Sequence, residues 1–247
     1  MKVDVALTPE GISVEEGKWK RVVVIDVIRA STTIITALAH GAEGVLPLRT
    51  PEEARRKVKE YPQGKTLLCG ERESVRIPGF DLGNSPREYN NSVIRDRVLL
   101  YTSTNGSQML VKVGGAEEIL VAGFVNLEAV VRRLGLREGD CLIACSGTDG
   151  KFSLEDAVCA GMIVVGLRRM LGEDTLELSD EAIAVTVLYE YFADDLLGMA
   201  EESTQGKTLI ALGMEPDLSY CITVDSYDVV PLLRDGMLIN ENMGLNS

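Results

Sequence analysis

Histidine occurs once in the 247 residues, at position 40, and this scarcity removes whole classes of chemistry. A Ser–His–Asp hydrolase would need His40 to reach a serine, yet the chain has no G-x-S-x-G elbow. His40 ends an apolar helical stretch and precedes Gly41, a place that suits a helix C-terminal residue better than a general base. The GxxxxGK[ST] phosphate loop is missing, because QGKT at 205–208 lacks the preceding glycine and strand. A dinucleotide fingerprint is absent too. Cys69, Cys145 and Cys159 are not followed six residues on by arginine, as a cysteine-dependent phosphatase would require. Basic residues are also short: 25 Lys and Arg face 38 Asp and Glu, a net charge of −13 that repels nucleic acid and anionic membrane surfaces. No apolar run approaches the ~20 residues of a membrane span. The opening MKVDVALTPEG has no signal-peptide core, so a cytoplasmic protein is expected. Five cysteines, an odd number set in apolar runs, fit free thiols in a reducing compartment. Cys141 and Cys145 share one face of a strand, and no second Cys/His pair completes a zinc site.

What the chain does have is alternation. Short β-rich runs at 21–26, 66–69, 98–102, 118–122, 140–145 and 220–224 are almost continuously apolar, as strands covered on both faces should be, and helical stretches separate them. This pattern predicts an α/β protein with a largely parallel or mixed sheet. Thr50-Pro-Glu-Glu53 and Ser85-Pro-Arg-Glu88 read as capping boxes. Asn126 should cap a helix over 127–134, and Ser153 one running to about Leu171. We expect a single unit over 1–247 with room for two lobes that part near 151–178. Apolar helix faces such as 182–192 make a homodimer plausible.

Three times a strand runs into a hydroxyl-rich turn and then a helix, at 25–33, 101–107 and 144–150. Ligands of open α/β sheets bind beyond such strand ends, where loop and helix N–H groups accept an anion. Each loop alone is equally explained as a polar, capped turn. Asp26 and Arg29 close the strongest strand; they suit a Mg²⁺ ligand with a bidentate phosphate donor, or a structural pair that caps the next helix. Glu71 follows another strand, and Asp81 and Asn84 lie in a turn fixed by two glycines and two prolines. Glu155 and Asp156 stand in the first turn of a helix, where capping alone also accounts for acids. Hard oxygen donors, hydroxyls and no usable histidine are what a Mg²⁺ site for a phosphate ester asks for, with the Thr102-Ser103-Thr104-Asn105 loop as the cradle. The same groups would serve an isomerase or lyase of a phosphorylated acid, or a protein that binds such an anion without turning it over.

The motifs VIDVIRASTT (24–33), GER (70–72), IPGFDLGNSPREY (77–89), STNGS (103–107) and CSGTDGKFSLED (145–156) resemble the 2-phosphosulfolactate phosphatase family of the coenzyme M pathway. The likeness runs over nearly the whole chain, from about residue 4 to 239. It implies a three-layer α/β/α fold and Mg²⁺-dependent hydrolysis of 2-phospho-3-sulfolactate, a small phosphorylated anion, to 3-sulfolactate and phosphate. Asp26, Arg29, Glu71, Asp81, Asn84, Asn105, Gly147, Glu155 and Asp156 fall on its motif positions. Metal binding and water activation are expected from Asp26, Glu71 and Asp81, with Glu155 and Asp156 as further metal candidates. Catalysis is expected to involve Asp26, Arg29, Glu71 and Asn105. Arg29, Arg72, the 102–105 loop, Ser146 and Gly147 are expected to hold substrate, with Arg76 close by. One departure is Gln205, which stands where a Ser-His-Gly pattern would put histidine. Asp26→Asn or Arg29→Ala is expected to abolish turnover with little change in melting temperature.

Overall fold

A computed structural model describes residues 1–12 and 19–241. Its strands are β1 (Lys2–Ala6), β2 (Arg21–Ile25), β3 (Gly44–Pro47), β4 (Thr66–Arg72), β5 (Val75–Arg76), β6 (Val98–Thr102), β7 (Glu118–Ala122), β8 (Cys141–Cys145), β9 (Glu177–Leu178), β10 (Pro231–Arg234) and β11 (Met237–Asn240). They form one mixed sheet in the order β5-β4-β6-β3-β11-β10-β7-β2-β8-β1-β9. Two parallel blocks, β4-β6-β3 and β7-β2-β8-β1-β9, flank the antiparallel hairpin β10–β11. The hairpin is joined to each block by a single residue pair, Leu232 with Leu120 and Leu238 with Val45. In a flat sheet this alternation would send the two blocks in opposite directions. Their carboxyl ends nevertheless meet, so the sheet curls.

The curl follows from how the faces are covered. Successive residues of β2 point to opposite sides: Val23 and Ile25 enter a core with the helices Leu127–Gly135 and Leu154–Leu171, whereas Val22 and Val24 pack on the helix Ala30–Ala39. That second core also takes Leu99 and Tyr101 from β6. Both blocks therefore wrap the same helix, while Val98 and Leu100 turn outward onto a third cluster with Ala54. Helices thus cover both faces of an α/β sheet. Ala182, Met199, Leu209 and Leu218, from the helices that follow residue 178, join the core of β2 and β8. The helix Asp180–Phe192 leaves Ile183, Val187 and Tyr191 exposed. No helix among the described residues is long and apolar enough to cross a membrane.

Five predicted strands coincide with observed ones to within a few residues. The sixth, at 220–224, does not. Pro216 at the first turn, with Glu215 and Asp217, starts the helix Glu215–Cys221, which ends on Tyr220 and Cys221, and the β-branched Ile222, Thr223 and Val224 follow it. Thr50 and Ser153 accept the N–H groups of Glu53 and Asp156, as their capping roles require. The Ser85 box instead makes one 3₁₀ turn, Pro86–Glu88, without a side-chain cap. Its components are engaged elsewhere: Ser85 Oγ donates to Asp217, and Glu88 accepts from the Gly83 N–H. Asn126 occupies the cap position of Leu127–Gly135 but turns back, donating to the Val121 and Val229 carbonyls.

Candidate active site

The carboxyl ends of β2, β4 and β6 and the loop after β8 enclose a cavity of about 520 Å³. Asp26, Arg29, Glu71, Arg72, Thr104 and Asn105 all line it. Asp26 leaves β2 and is 8% exposed. Its amide donates to Ser31 Oγ at 2.9 Å, and its Oδ1 accepts the Ala30 N–H at 3.1 Å. Burial pushes its pKa up to about 7, helped by the charges of Glu71 and Glu155 and opposed by the Ala30 and Gly106 N–H groups. Near neutral pH this group can therefore hold or release a proton. Room for it depends on Gly106, since a Cβ there would stand 2.7 Å from Asp26 Oδ2.

Arg29 is 3% exposed and already partnered. Its Nη1 donates to Asp217 Oδ2 at 2.7 Å, and its Nη2 to the Ser74 carbonyl at 2.6 Å. Its Nε is buried without a hydrogen-bond acceptor. The local helix-capping pair with Asp26 does not form, and the partner comes from a helix nearly 190 residues further along the chain. Arg29→Ala would strand Asp217 in the interior, a loss of about 3–5 kcal/mol when a buried pair is broken. The expected indifference of the melting temperature therefore does not hold for that variant.

Glu71 joins two loops. Oε2 accepts the Ser74 N–H at 2.9 Å and Oε1 the Thr104 N–H at 2.7 Å. Arg72 reaches Thr102 Oγ1 at 2.9 Å and the carbonyls of Glu71 and Arg49. Within the 102–105 loop, Thr104 Oγ1 is buried without a partner, and Asn105 Oδ1 accepts from the Asp149 N–H at 3.3 Å. Ser103 closes the loop internally by exchanging hydrogen bonds with Ser107, its hydroxyl accepting from the Ser107 N–H, and it is not part of the cavity lining. The Thr102 hydroxyl accepts from Arg72, and Thr102 likewise is not part of the lining.

The remaining candidates lie elsewhere. Asp81 is exposed, and its Oδ2 accepts the Leu68 N–H at 2.8 Å, because the turn at 77–81 folds back onto β4. It does not line the cavity. Asp156 sits behind the wall and accepts the N–H groups of Val27 at 2.8 Å and Gly147 at 3.1 Å, tying the ends of β2 and β8 together. Burial, with the charges of Glu155 and Asp26, raises its pKa well above the usual carboxylate range. Glu155 is also buried, and burial raises its pKa against the opposing effect of the Ser153 and Ser203 hydroxyls. Ser146 is buried and off the lining. Gly147 has φ +67°, and a Cβ there would fall 2.3 Å from the Lys151 carbonyl, so it shapes the loop. His40 contacts the Tyr89 carbonyl through Nδ1 at 2.7 Å, a structural place. All five cysteines are free and buried. No group of three acidic, histidine or cysteine side chains able to hold a metal ion occurs among the described residues.

Asn84 and Gln205, both singled out in the sequence, line the cavity as well, together with residues that no motif marked. Ser74 has φ +66°, and its hydroxyl accepts from Gln205 Nε2 at 2.9 Å, which brings Gln205 to the cavity. Thr148, Asp149, Thr204 and Thr208 complete the wall. Asn84 accepts the Tyr101 hydroxyl and joins them.

Arginines, hydroxyls and buried carboxylates thus gather in one cavity at the strand ends of an α/β sheet, where enzymes of this architecture bind small ligands. The family model of 2-phosphosulpholactate phosphatase matches residues 6–236. The chain belongs to that family. It is 42% identical over 237 residues to the probable 2-phosphosulfolactate phosphatase of Thermotoga maritima, covering 96% of this chain and 97% of that protein. The protein of the same name from Symbiobacterium thermophilum is 39% identical over 226 residues, covering 91% of this chain and 96% of its own length.

Proposed function

We propose that the chain hydrolyses 2-phospho-3-sulfolactate to 3-sulfolactate and inorganic phosphate, with Mg²⁺ as cofactor, a step of coenzyme M biosynthesis. The observation that carries this reading is the cavity's charge pattern in a member of the family. Asp26, Glu71, Glu73 and Asp149 line it against Arg29 and Arg72, and Arg29 is already neutralised by Asp217. A polyanionic ester needs further positive charge to enter such a cavity. The donors are hard oxygens, and Mg²⁺ is usually held by one or two carboxylates together with substrate oxygens and water. A cavity without a three-ligand cluster suits that mode. Asp26 would hold the ion, with Glu71 beside it. When bound, Mg²⁺ would offset the ester's charge and polarise the phosphoryl oxygen.

The protein groups have separable tasks. The Nε–H of Arg29, the Arg72 guanidinium and the Thr104 hydroxyl donate to non-reacting phosphoryl oxygens. The Asp26 carboxylate that would hold the ion also accepts a hydrogen bond from the attacking water and orients it towards phosphorus, and the water's proton passes to solvent. The water oxygen bonds phosphorus, the ester P–O bond breaks, and the leaving oxygen of sulfolactate takes up a proton from solvent, so that one water is consumed overall. Glu71 keeps the two loops in register through its backbone hydrogen bonds.

The test is phosphate release from phosphosulfolactate, phospholactate, phosphoglycolate and phosphoglycerate, with Mg²⁺ and then with excess EDTA. EDTA-sensitive turnover strongly favouring phosphosulfolactate is expected. Turnover of another ester in its place would reassign the substrate. Folded, Mg²⁺-loaded protein that releases no phosphate from any of them would refute the reading.

A further inference from the structure

Arg29 forms part of the wall between two cavities. It lines the site cavity and also a neighbouring one of about 370 Å³, whereas Asp217 lines only the second. Asp217 therefore grips Arg29 from behind. The grip is well made: the side chains are 2% and 4% exposed, the contact is 2.7 Å, and the other Asp217 oxygen is held by Ser85 Oγ at 2.8 Å. The Ser74 carbonyl takes Nη2. Of the five N–H groups, those of Nη1 reach Asp217 and, at 3.4 Å, Met214 Sδ, and one of Nη2 reaches Ser74; the buried Nε–H and the second N–H of Nη2 have no acceptor among the described residues. A buried donor without a partner is rare and costly, so an acceptor is missing. Thr104 Oγ1, which lies on the same cavity wall, is likewise buried and unpartnered.

We infer that Asp217 is a positioning residue for oxyanion recognition: with Ser85 behind it, it clamps Arg29 so that the unpartnered edge of the guanidinium is presented to a substrate phosphoryl oxygen. This rests on the reading above that the cavity takes a phosphate ester. Ser85 belongs to a turn after β5 and Asp217 to the helix Glu215–Cys221, so two distant segments fix one guanidinium. A pair that served only to dock that helix would have no effect on anion affinity beyond its effect on the folded fraction.

Inorganic phosphate is the probe, titrated calorimetrically into the intact chain in Mg²⁺-containing buffer. Asp217→Asn keeps the shape and one acceptor but removes the charge; phosphate should bind it about tenfold more weakly, in the range of coupling between residues in contact. Arg29→Lys should weaken binding to a similar degree, and the double variant should be no weaker than Arg29→Lys alone. Ser85→Ala leaves the ion pair in place and provides a milder variant should Asp217→Asn not fold; a loss of about threefold is expected from its single hydrogen bond. Wild-type affinity in folded Asp217→Asn or in Ser85→Ala, or multiplying losses in the double variant, would overturn the proposal. Absence of phosphate binding in the wild type would instead strike the reading of the cavity, and the proposal with it.

Discussion

Gly106→Ala tests whether the Asp26 carboxylate works where the structure places it. An added Cβ would lie 2.7 Å from both Asp26 Oδ2 and Ala30 Cβ, and 3.2 Å from Asp26 Cβ. Ordinary contacts between such atoms are about 3.5–4.0 Å, so something must retreat by roughly 1 Å. Neither neighbour is the free end of a flexible side chain. Ala30 opens a buried helix, and Asp26 is held by Ser31 and the Ala30 N–H. Overpacking of this kind costs about 1–3 kcal/mol. For a chain of this size each kcal/mol lowers Tm by roughly 2–4 °C, so a fall of about 2–12 °C is expected in calorimetry. A displacement of ~1 Å in a reacting group costs about 100-fold in rate, which phosphate release under saturating substrate would read as a lower kcat. A variant that keeps wild-type kcat while losing stability would show that the reaction does not depend on this carboxylate. Unchanged stability as well would refute the packing around it.

Asp26→Asn should reveal the cost of the buried charge. The folded-state pKa is raised from 3.8 to about 7, chiefly by burial, so the stability tied to the protonated carboxyl is fully present below pH 3.8 and lost as pH rises through about 7. Asparagine escapes that loss. In Mg²⁺-free buffer its Tm relative to wild type should climb between pH 5 and pH 8, by the equivalent of a few kcal/mol; a pH-independent difference would sink the idea. Glu71→Gln replaces one of two carboxylate acceptors with a donor. It should cost about 1–3 kcal/mol and depress turnover by loosening the 102–105 loop, measured by urea unfolding and phosphate release; wild-type values in both would exclude that role. The cysteines, buried and with Cys145 and Cys159 pushed well above their ordinary pKa by desolvation, should resist a thiol reagent in the native chain and react on unfolding. Rapid labelling of native protein would contradict the packing.

The parts of the fold legible in sequence are those fixed by local chemistry. Continuous apolar runs marked β2, β6, β7 and β8, and Thr50 and Ser153 behave as caps because their partners lie three residues away. The run at 220–224 misled because its first two residues belong to a helix whose start is set by Pro216, and its β-branched residues only follow that helix. Asn126 and Ser85 carry capping chemistry but satisfy remote groups, and no local rule says so. In the site, the motifs marked Asp26, Arg29, Glu71 and Asn105, which the fold gathers in one cavity. The same motifs marked Asp81, Glu155 and Asp156, which hold backbone N–H groups or hydroxyls away from the lining. Sequence position shows that a carboxylate is present, not which side of a loop it faces. Asp217 was invisible because its tie to Arg29 spans the chain.

The most direct test is to incubate the purified chain with 2-phospho-3-sulfolactate and Mg²⁺ and follow the reaction by phosphorus NMR, with Asp26→Asn as the control. Conversion of the ester signal to inorganic phosphate by the wild type, and its absence in the variant, is the predicted result. An unchanged ester signal with folded wild-type protein, or equal conversion by Asp26→Asn, would contradict the assignment of a phosphatase centre to this cavity.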